Sequence, residues 1–549
     1  MNVSWSQLTI VDGQLVSQHN LNQLVVGTYT AYWTGLVYDD VGRSNDEAVA
    51  ALVNQIATGT PVQLATSGLR GSFCMTLHDS VNQVHYTFVD DSGLYTAYRS
   101  NRGVSTSFLD LCRTSGVTSA SFDKTALLEL MHLGNVYFGD TLAPDVKKLR
   151  CDEVVVLRHN DVSVLKKPIS QLSDTPQFKT IEAATSALAT AIRNCAVSVD
   201  LTGGFDSRLV ACLLKGHGLE FESALSGAVG TADYELGKQV AGALNVPYFH
   251  CEYSAATILD DLEYTLNRLD GMGGSIVAHH RLNQLSEQRS QRGITLSLKG
   301  SGGELFKDFF WTQDFPFYRS KQTRMDRLNR VRLEFELFTS DTLTDDAMTS
   351  FSALRRSRVA KLESQYRQPI NTQSYDHVYF YERVQTWNSR MITSCQRPDV
   401  SIHSPLSELL VAQLGFQAPR TKRFYNRYHR DVITRLAPAT AAVRTTDGTT
   451  ASSSTLGMLM DATGYVKGKS KKLSKKLSQL LLNTTKFNPP EYSPDTQSLQ
   501  RISTSEICAQ ALTALKEQQL LKPSVELKDI SPRFQEQTIS AGWAVHCLQ

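Results

Sequence analysis

This chain is short of the features that mark the common protein classes. Its nine cysteines (positions 74, 112, 151, 195, 212, 251, 395, 508 and 547) include no CxxC pair and no metal-ligand spacing. An odd count in so long a chain argues for reduced thiols and a cytoplasmic protein rather than a disulfide framework. Cys195 and Cys212 sit in apolar runs and read as small buried hydrophobes. No apolar stretch reaches the roughly twenty residues that a bilayer span needs, and no signal-peptide pattern opens the sequence, so neither general secretion nor membrane spanning is expected. Charge of one sign is also lacking: 56 Lys and Arg balance 54 Asp and Glu, a net charge of +2. That balance speaks against a nucleic-acid partner. The length, 549 residues, leaves room for two large domains.

The informative stretch is LTGGFDSRLV, Leu201 to Val210. Before it, CAVSVDL (Cys195 to Leu201) reads as a buried strand; after it, Leu209, Val210, Leu213 and Leu214 fall on one helical face. Gly203 and Gly204 let the backbone approach an anion, Ser207 adds a hydroxyl, and the following helix points its positive N-terminus at the same spot. Such a turn cradles phosphate. It lacks both the Gly-Lys-Ser/Thr ending of a P-loop and the GxGxxG spacing. The carboxylate inside it, Asp206, makes sense where Mg²⁺ bridges a carboxylate and a polyphosphate.

Downstream, FESALSG (Phe221 to Gly227) reads as a second strand, DYELGKQVAGALNV (Asp233 to Val246) as a helix, and YFHCEY as a third strand. This order predicts a doubly wound sheet, with ligands at the carboxyl ends of its strands. ITLSLKGSGGELF (Ile294 to Phe306) is another apolar strand entering a glycine-rich turn with an acid, Glu304, flanked by Lys299 and Lys307.

The first loop resembles the SGGxDS pyrophosphate loop of the N-type ATP pyrophosphatases, with Thr202 at the first serine. The second loop resembles the GxGSDELF or GxGGDELF run of the asparagine synthetase group, which includes β-lactam synthetases and lasso-peptide cyclases. Residues 69 to 98 resemble glutamine amidotransferase-like N-terminal domains, and 122 to 157 the closing segment of such a domain. SIHSPLSELLVAQL (401 to 414) and TRLAPATAAVRTTDG resemble later segments of the family, so the likeness covers roughly residues 60 to 450.

The resemblance implies ATP and Mg²⁺ as cofactors. It makes Leu201, Thr202, Gly203, Gly204, Asp206, Ser207, Gly300, Gly302 and Gly303 cofactor-binding positions, among which Gly203, Gly204, Ser207, Gly302 and Gly303 hold pyrophosphate; it makes Ser226 and Gly227 adenine contacts, and Asp206 and Glu304 the metal carboxylates. Lys299, Ser301 and Arg444 are the catalytic candidates. Ser301 stands where the family has glutamate or tyrosine and is a poor base. Arg444 stands nearest the family's late lysine, and an arginine stabilises transition-state charge without shuttling protons; an exposed loop arginine is the equal alternative. Asp206 is expected as a surface-loop carboxylate whose loss costs little stability.

A class II glutaminase needs Cys at position 2. The sequence reads Met1, Asn2, Val3, Ser4, and its first cysteine is Cys74. A structural remnant unable to hydrolyse glutamine is therefore expected, and the amine must be ammonia or a substrate amine. The implied reaction is ATP-dependent amide-bond formation on a small-molecule, saccharide or peptide carboxylate, with macrolactam closure or a silent ATP-binding scaffold as alternatives.

The implied architecture is α/β. It comprises an αββα sandwich over 1–165, a doubly wound parallel-sheet ATP-pyrophosphatase domain over 170–455, and a helical tail over 456–549. A homodimer is compatible with it. His279 and His280, adjacent on a helix, point to different faces and so do not form a metal pair. Tyr379 to Arg390 lies where the family builds its acceptor site; core packing with a surface ion pair is the plainer reading. Residues 467–482, KGKSKKLSKKLSQLLL, form a basic amphipathic helix that suits weak association with an anionic membrane surface, a solvated helix packed on the domain being the plainer alternative.

Overall fold

The computed structural model describes residues 5–159, 161–307, 325–329, 336–366, 374–455, 457–459, 461–462 and 496–549. Among these residues the strands form three sheets, two of them antiparallel and lying within the first 166 residues. One antiparallel sheet runs in the order Gln14–His19, Gln7–Val11, Gly103–Ser105, Tyr98–Arg99, Lys147–Lys148. The other runs Asp161–Lys166, Glu153–Arg158, Val84–Val89, Leu69–Asp79, Tyr29–Asp39, Asn22–Val26.

Strand alternation assigns each side chain to a layer. Ile10 and Val104 of the first sheet meet Cys74, Val89 and Val155 of the second in a shared core. Val11, one residue on, faces the other way and packs with Phe108 and Leu111 of the helix Phe108–Ser115. On the far side of the second sheet, the helix Asp46–Ala57 lays Val49, Leu52 and Val53 against Trp33, Phe73 and Phe88. Helix, sheet, sheet and helix stack in the αββα order the sequence predicts.

The third sheet is parallel, in the order Tyr248–Glu252, Glu222–Gly227, Val197–Asp200, Leu296–Leu298, Ser401–His403. Val199 and Leu298 on its central strands and Ile402 on the edge strand are fully covered, as a sheet flanked on both faces requires. The chain leaves Val197–Asp200 to build two strands on one side, then returns to the other side with Leu296–Leu298. The loops that follow these two neighbouring strands therefore flank the topological switch point, where open α/β sheets bind their ligands. Both glycine-rich loops of the sequence are those loops. The helix Phe205–Gly216 buries Leu209, Val210, Leu213 and Leu214, the face expected of it.

A buried seam joins the two halves. Tyr38 and Arg70, from the second antiparallel sheet, both donate to Glu408 beside the parallel sheet, and Ser72 Oγ donates to the Ile402 carbonyl at 2.7 Å. The C-terminal helices Glu506–Glu517 and Pro532–His546 turn back to the N-terminal half, while Thr496–Ser503 meets Tyr253 and Ala256 through Ser498 and Arg501. Phe534, Ile539 and Val545 join the core built by Leu127, Leu130 and Met131 of the helix Lys124–Leu133. The basic segment 467–482 lies outside the described residues. Among those described, no helix is long and apolar enough to cross a membrane.

Candidate functional site

Leu201 completes the central strand, its amide donating to the Ala224 carbonyl at 3.0 Å. The turn then closes on itself. The Thr202 amide donates to Ser207 Oγ at 3.2 Å, the two hydroxyls lie 3.1 Å apart, and the Gly204 amide donates to Thr202 Oγ1 at 3.1 Å. The Ser207 hydroxyl is thus engaged within the loop rather than presented outward. What the loop does present is the start of the helix Phe205–Gly216, which has Gly204 as its N-cap and no side-chain cap. Its first amides keep their donor capacity and the positive end of the helix dipole, which together attract an anion.

The glycines of the second loop explain how the two loops meet. A Cβ on Gly300 would lie 2.5 Å from the Ser207 amide nitrogen, and one on Gly303 would collide with the Asp206 carboxylate. Gly302 has φ +91°, and a Cβ there would lie 2.5 Å from Ser407 Oγ. Glu304 is therefore the first position after the contact that can carry an acid, one step from the family's usual arrangement.

Asp206 is not a free loop carboxylate, contrary to the sequence expectation. It lies in the first helical turn, with Oδ2 2.6 Å from Lys307 Nζ and Oδ1 2.8 Å from His429 Nε2. Burial opposes its ionisation, but Lys307 and His429 outweigh it and hold the carboxyl well below the usual range. Burial likewise disfavours the Lys307 ammonium, and Asp206, Glu304 and Asp447 overcome it, raising the lysine's pKa. Glu304 Oε2 accepts the Tyr379 hydroxyl at 2.5 Å. His429 is fully buried in the helix Arg427–Leu436, between the rings of Phe205 and Phe306.

Arg208, also fully buried, straps the later segment onto the first loop. It donates to the carbonyls of Thr440, Val443 and Arg444 at 2.7–2.9 Å, and the Thr446 amide reaches the Gly203 carbonyl at 3.3 Å. Arg444, with an exposed side chain, is thereby held beside the first glycine-rich loop. The other candidates are more dispersed. Ser301 Oγ lies 2.8 Å from Ser404 Oγ, and its carbonyl accepts Ser404 and Ser407, so it stitches the loop to the following strand. The Lys299 charge bears on His279 and Cys395. Ser226 lies opposite Cys251 on the adjacent strand pair, and the Gly227 carbonyl is 2.8 Å from His250 Nε2.

His279 and His280 do face apart. His279 Nδ1 is 2.9 Å from the Ser275 carbonyl, whereas His280 Nε2 is 3.3 Å from Thr257 Oγ1. In the Tyr379–Arg390 segment, Tyr379 reaches Glu304, but Glu382 is core. Glu382 accepts from the Phe138 amide and from Tyr366, and burial pushes its carboxyl up to about 7. Arg383 stacks on Trp387 at 4.1 Å instead of pairing with Glu382. Sequence reasoning missed His429 and Arg208, since an HR pair in a helix and an arginine one residue past the motif carry no periodic or motif signal.

Among the described residues no group of three or more His, Cys, Asp or Glu side chains is arranged to hold a metal. Two oxygen donors, Asp206 and Glu304, do suit a hard cation that takes its remaining ligands from phosphate oxygens and water. A glycine-lined, uncapped helix N-terminus at the switch point of a doubly wound sheet is suited to an anionic ligand. Residues 183–454 match the family model described as asparagine synthase, and through this segment the chain is a member of the asparagine synthetase superfamily. At that level it is an ATP-dependent amide-bond-forming ligase. No curated protein matches the chain.

Proposed function

We propose that the chain activates a carboxylate with ATP as an acyl-adenylate and passes the acyl group to an amine. A substrate carboxylate oxygen attacks the α-phosphorus, the bond to the bridging oxygen breaks, and pyrophosphate departs. The amine then attacks the acyl carbon and AMP leaves with the bonding electrons. The amides of the first helical turn that follows Gly203 and Gly204, with those of Gly302 and Gly303, receive the pyrophosphate oxygens, while Lys307 and Arg444 offset their charge. Asp206 and Glu304 would hold Mg²⁺, which when bound supplies further neutralisation of the leaving group. The observation that carries this reading is the uncapped helix start pressed against the second loop, with the Asp206–Lys307 pair at the contact.

The amine source is free ammonia, a substrate amine, or ammonia from a separate subunit. All nine cysteine thiols have raised pKa values, burial being the first cause in each: Cys74 and Cys112 to about 12, and Cys151, Cys212, Cys508 and Cys547 to about 11. Burial therefore disfavours the nucleophilic thiolate form in all nine. The substrate class spans sugar acids, small metabolites and peptides, with macrolactam closure included.

The test is pyrophosphate release on incubation with ATP, Mg²⁺ and a panel of carboxylic acids, with ammonium or glutamine as the nitrogen source. Ammonium-dependent release without glutamate formation is expected. Glutamate produced by this chain alone overturns the amine assignment, and ATP binding with no pyrophosphate from any acid makes the protein a silent scaffold.

A further inference from the structure

A pocket of about 270 Å³ lies at the seam, apart from both glycine-rich loops, walled by Trp5, Tyr98 and Asp110 on one side and Arg268, Asp270 and Arg390 on the other. We propose that it binds a small oxyanion, a carboxylate or phosphate group on a compact polar molecule, with Arg390 as counter-ion.

Arg390 is only 8% exposed. Its Nη1 makes one long bond, 3.4 Å, to the Leu269 carbonyl, and its buried Nε has no acceptor among the described residues. Other deeply buried arginines carry shorter and more numerous bonds. Arg208 is ringed by carbonyls, Arg289 pairs with Asp200, and Arg423 makes a two-pronged pair with Asp376. Unpaired buried guanidinium is costly, and its planar fork matches carboxylate and phosphate.

Of the pocket's acids, Asp270 bears on Arg390 electrostatically but spends its hydrogen bonds elsewhere. Asp270 accepts Ser107 Oγ at 2.6 Å and the Leu109 amide at 3.4 Å, capping the helix Phe108–Ser115, and burial raises its pKa. Asp110 accepts the Thr9 hydroxyl. Arg268 donates to the carbonyls of Thr393, Ser394 and Gln396 and lies over the Trp5 ring. Tyr98, almost fully buried, turns its hydroxyl toward Asp270 and Arg390. An incoming oxyanion would meet Arg390 and this hydroxyl.

Thermal unfolding and calorimetric titration of the full chain with succinate and with inorganic phosphate, at matched ionic strength in chloride, decide the matter. Saturable stabilisation by one probe and not by chloride is expected, the responding probe telling carboxylate from phosphate. Arg390→Met should abolish that response. Should this variant not fold, Tyr98→Phe decides instead, with an expected loss of about three- to tenfold in affinity. No saturable response to either probe up to about 10 mM overturns the proposal. So does undiminished binding in Arg390→Met, or in Tyr98→Phe where Arg390→Met does not fold.

Discussion

Asp206 and Glu408 are held in the same way, each between one imidazole and one long cation. His429 and Lys307 flank Asp206 at 2.8 and 2.6 Å; His403, at 3.1 Å, and Arg70 flank Glu408. Burial works against ionisation in both, and in both the positive neighbours win. The Glu408 carboxyl is lowered to about 2, with Arg70 the leading cause after burial, and the Asp206 carboxyl is held down by Lys307 and His429. What separates them is what remains open. The Glu408 side chain is 3% exposed, takes a third partner in Tyr38, and closes the seam between the halves. The Asp206 side chain is 19% exposed and stands beside an uncapped helix start and a second acid, Glu304. A depressed carboxylate alone is thus a poor marker of a site. An open side with unused donors is the better one.

Substitution should split the pair. Asp206→Asn keeps the shape but removes the charge, so turnover, assayed as pyrophosphate release, should fall about 10²- to 10³-fold. The buried Lys307 loses its ion-pair partner in this variant, so some loss of stability accompanies the kinetic effect, visible as a lower urea midpoint. An unchanged rate would place Asp206 in the same structural category as Glu408.

Glu408→Gln should show the reverse, with the seam losing about 3 kcal/mol in urea unfolding because Arg70 stays buried without its counter-charge. The pH dependence fixes the sign. A carboxyl lowered from 4.5 to about 2 in the folded state contributes stability that is fully present above pH 4.5 and is lost as pH falls toward 2. The variant should flatten the wild-type loss across that window, and an unchanged acid limb would show that Glu408 does not hold the seam.

The smallest effect concerns His429. Its replacement by Gln keeps a donor near Asp206 with altered geometry, and affinity for the Mg²⁺–nucleotide complex should drop about tenfold, the scale of one charge-assisted hydrogen bond. Equal affinity in His429→Gln and wild type would make Lys307 sufficient to position Asp206.

Much of the architecture was legible because it rests on periodicity. The apolar strand before Leu201 and the face Leu209, Val210, Leu213 and Leu214 announce a strand, a tight turn and a helix, and the repetition at Ile294 to Phe306 announces the neighbouring strand. The layered N-terminal sandwich followed from family likeness. The partners of Asp206 were not legible, since His429 and Lys307 lie 223 and 101 residues further along and come together through tertiary packing. The same is true of Ser301, whose hydroxyl is taken by Ser404 at a distance of 103 residues. The C-terminal helices carried no signal that they fold back on the helix Lys124–Leu133, because an apolar face shows that it will be covered and not by what.

Titration calorimetry with α,β-methylene-ATP in the presence and absence of Mg²⁺ tests the central claim without knowledge of the carboxylate substrate. Wild type should bind one nucleotide in a Mg²⁺-dependent manner, Asp206→Asn should weaken that binding by at least tenfold, and Glu408→Gln, assayed where it remains folded, should bind as wild type does. Equal Mg²⁺-dependent affinity in wild type and Asp206→Asn would contradict the placement of the nucleotide phosphates at the two glycine-rich loops.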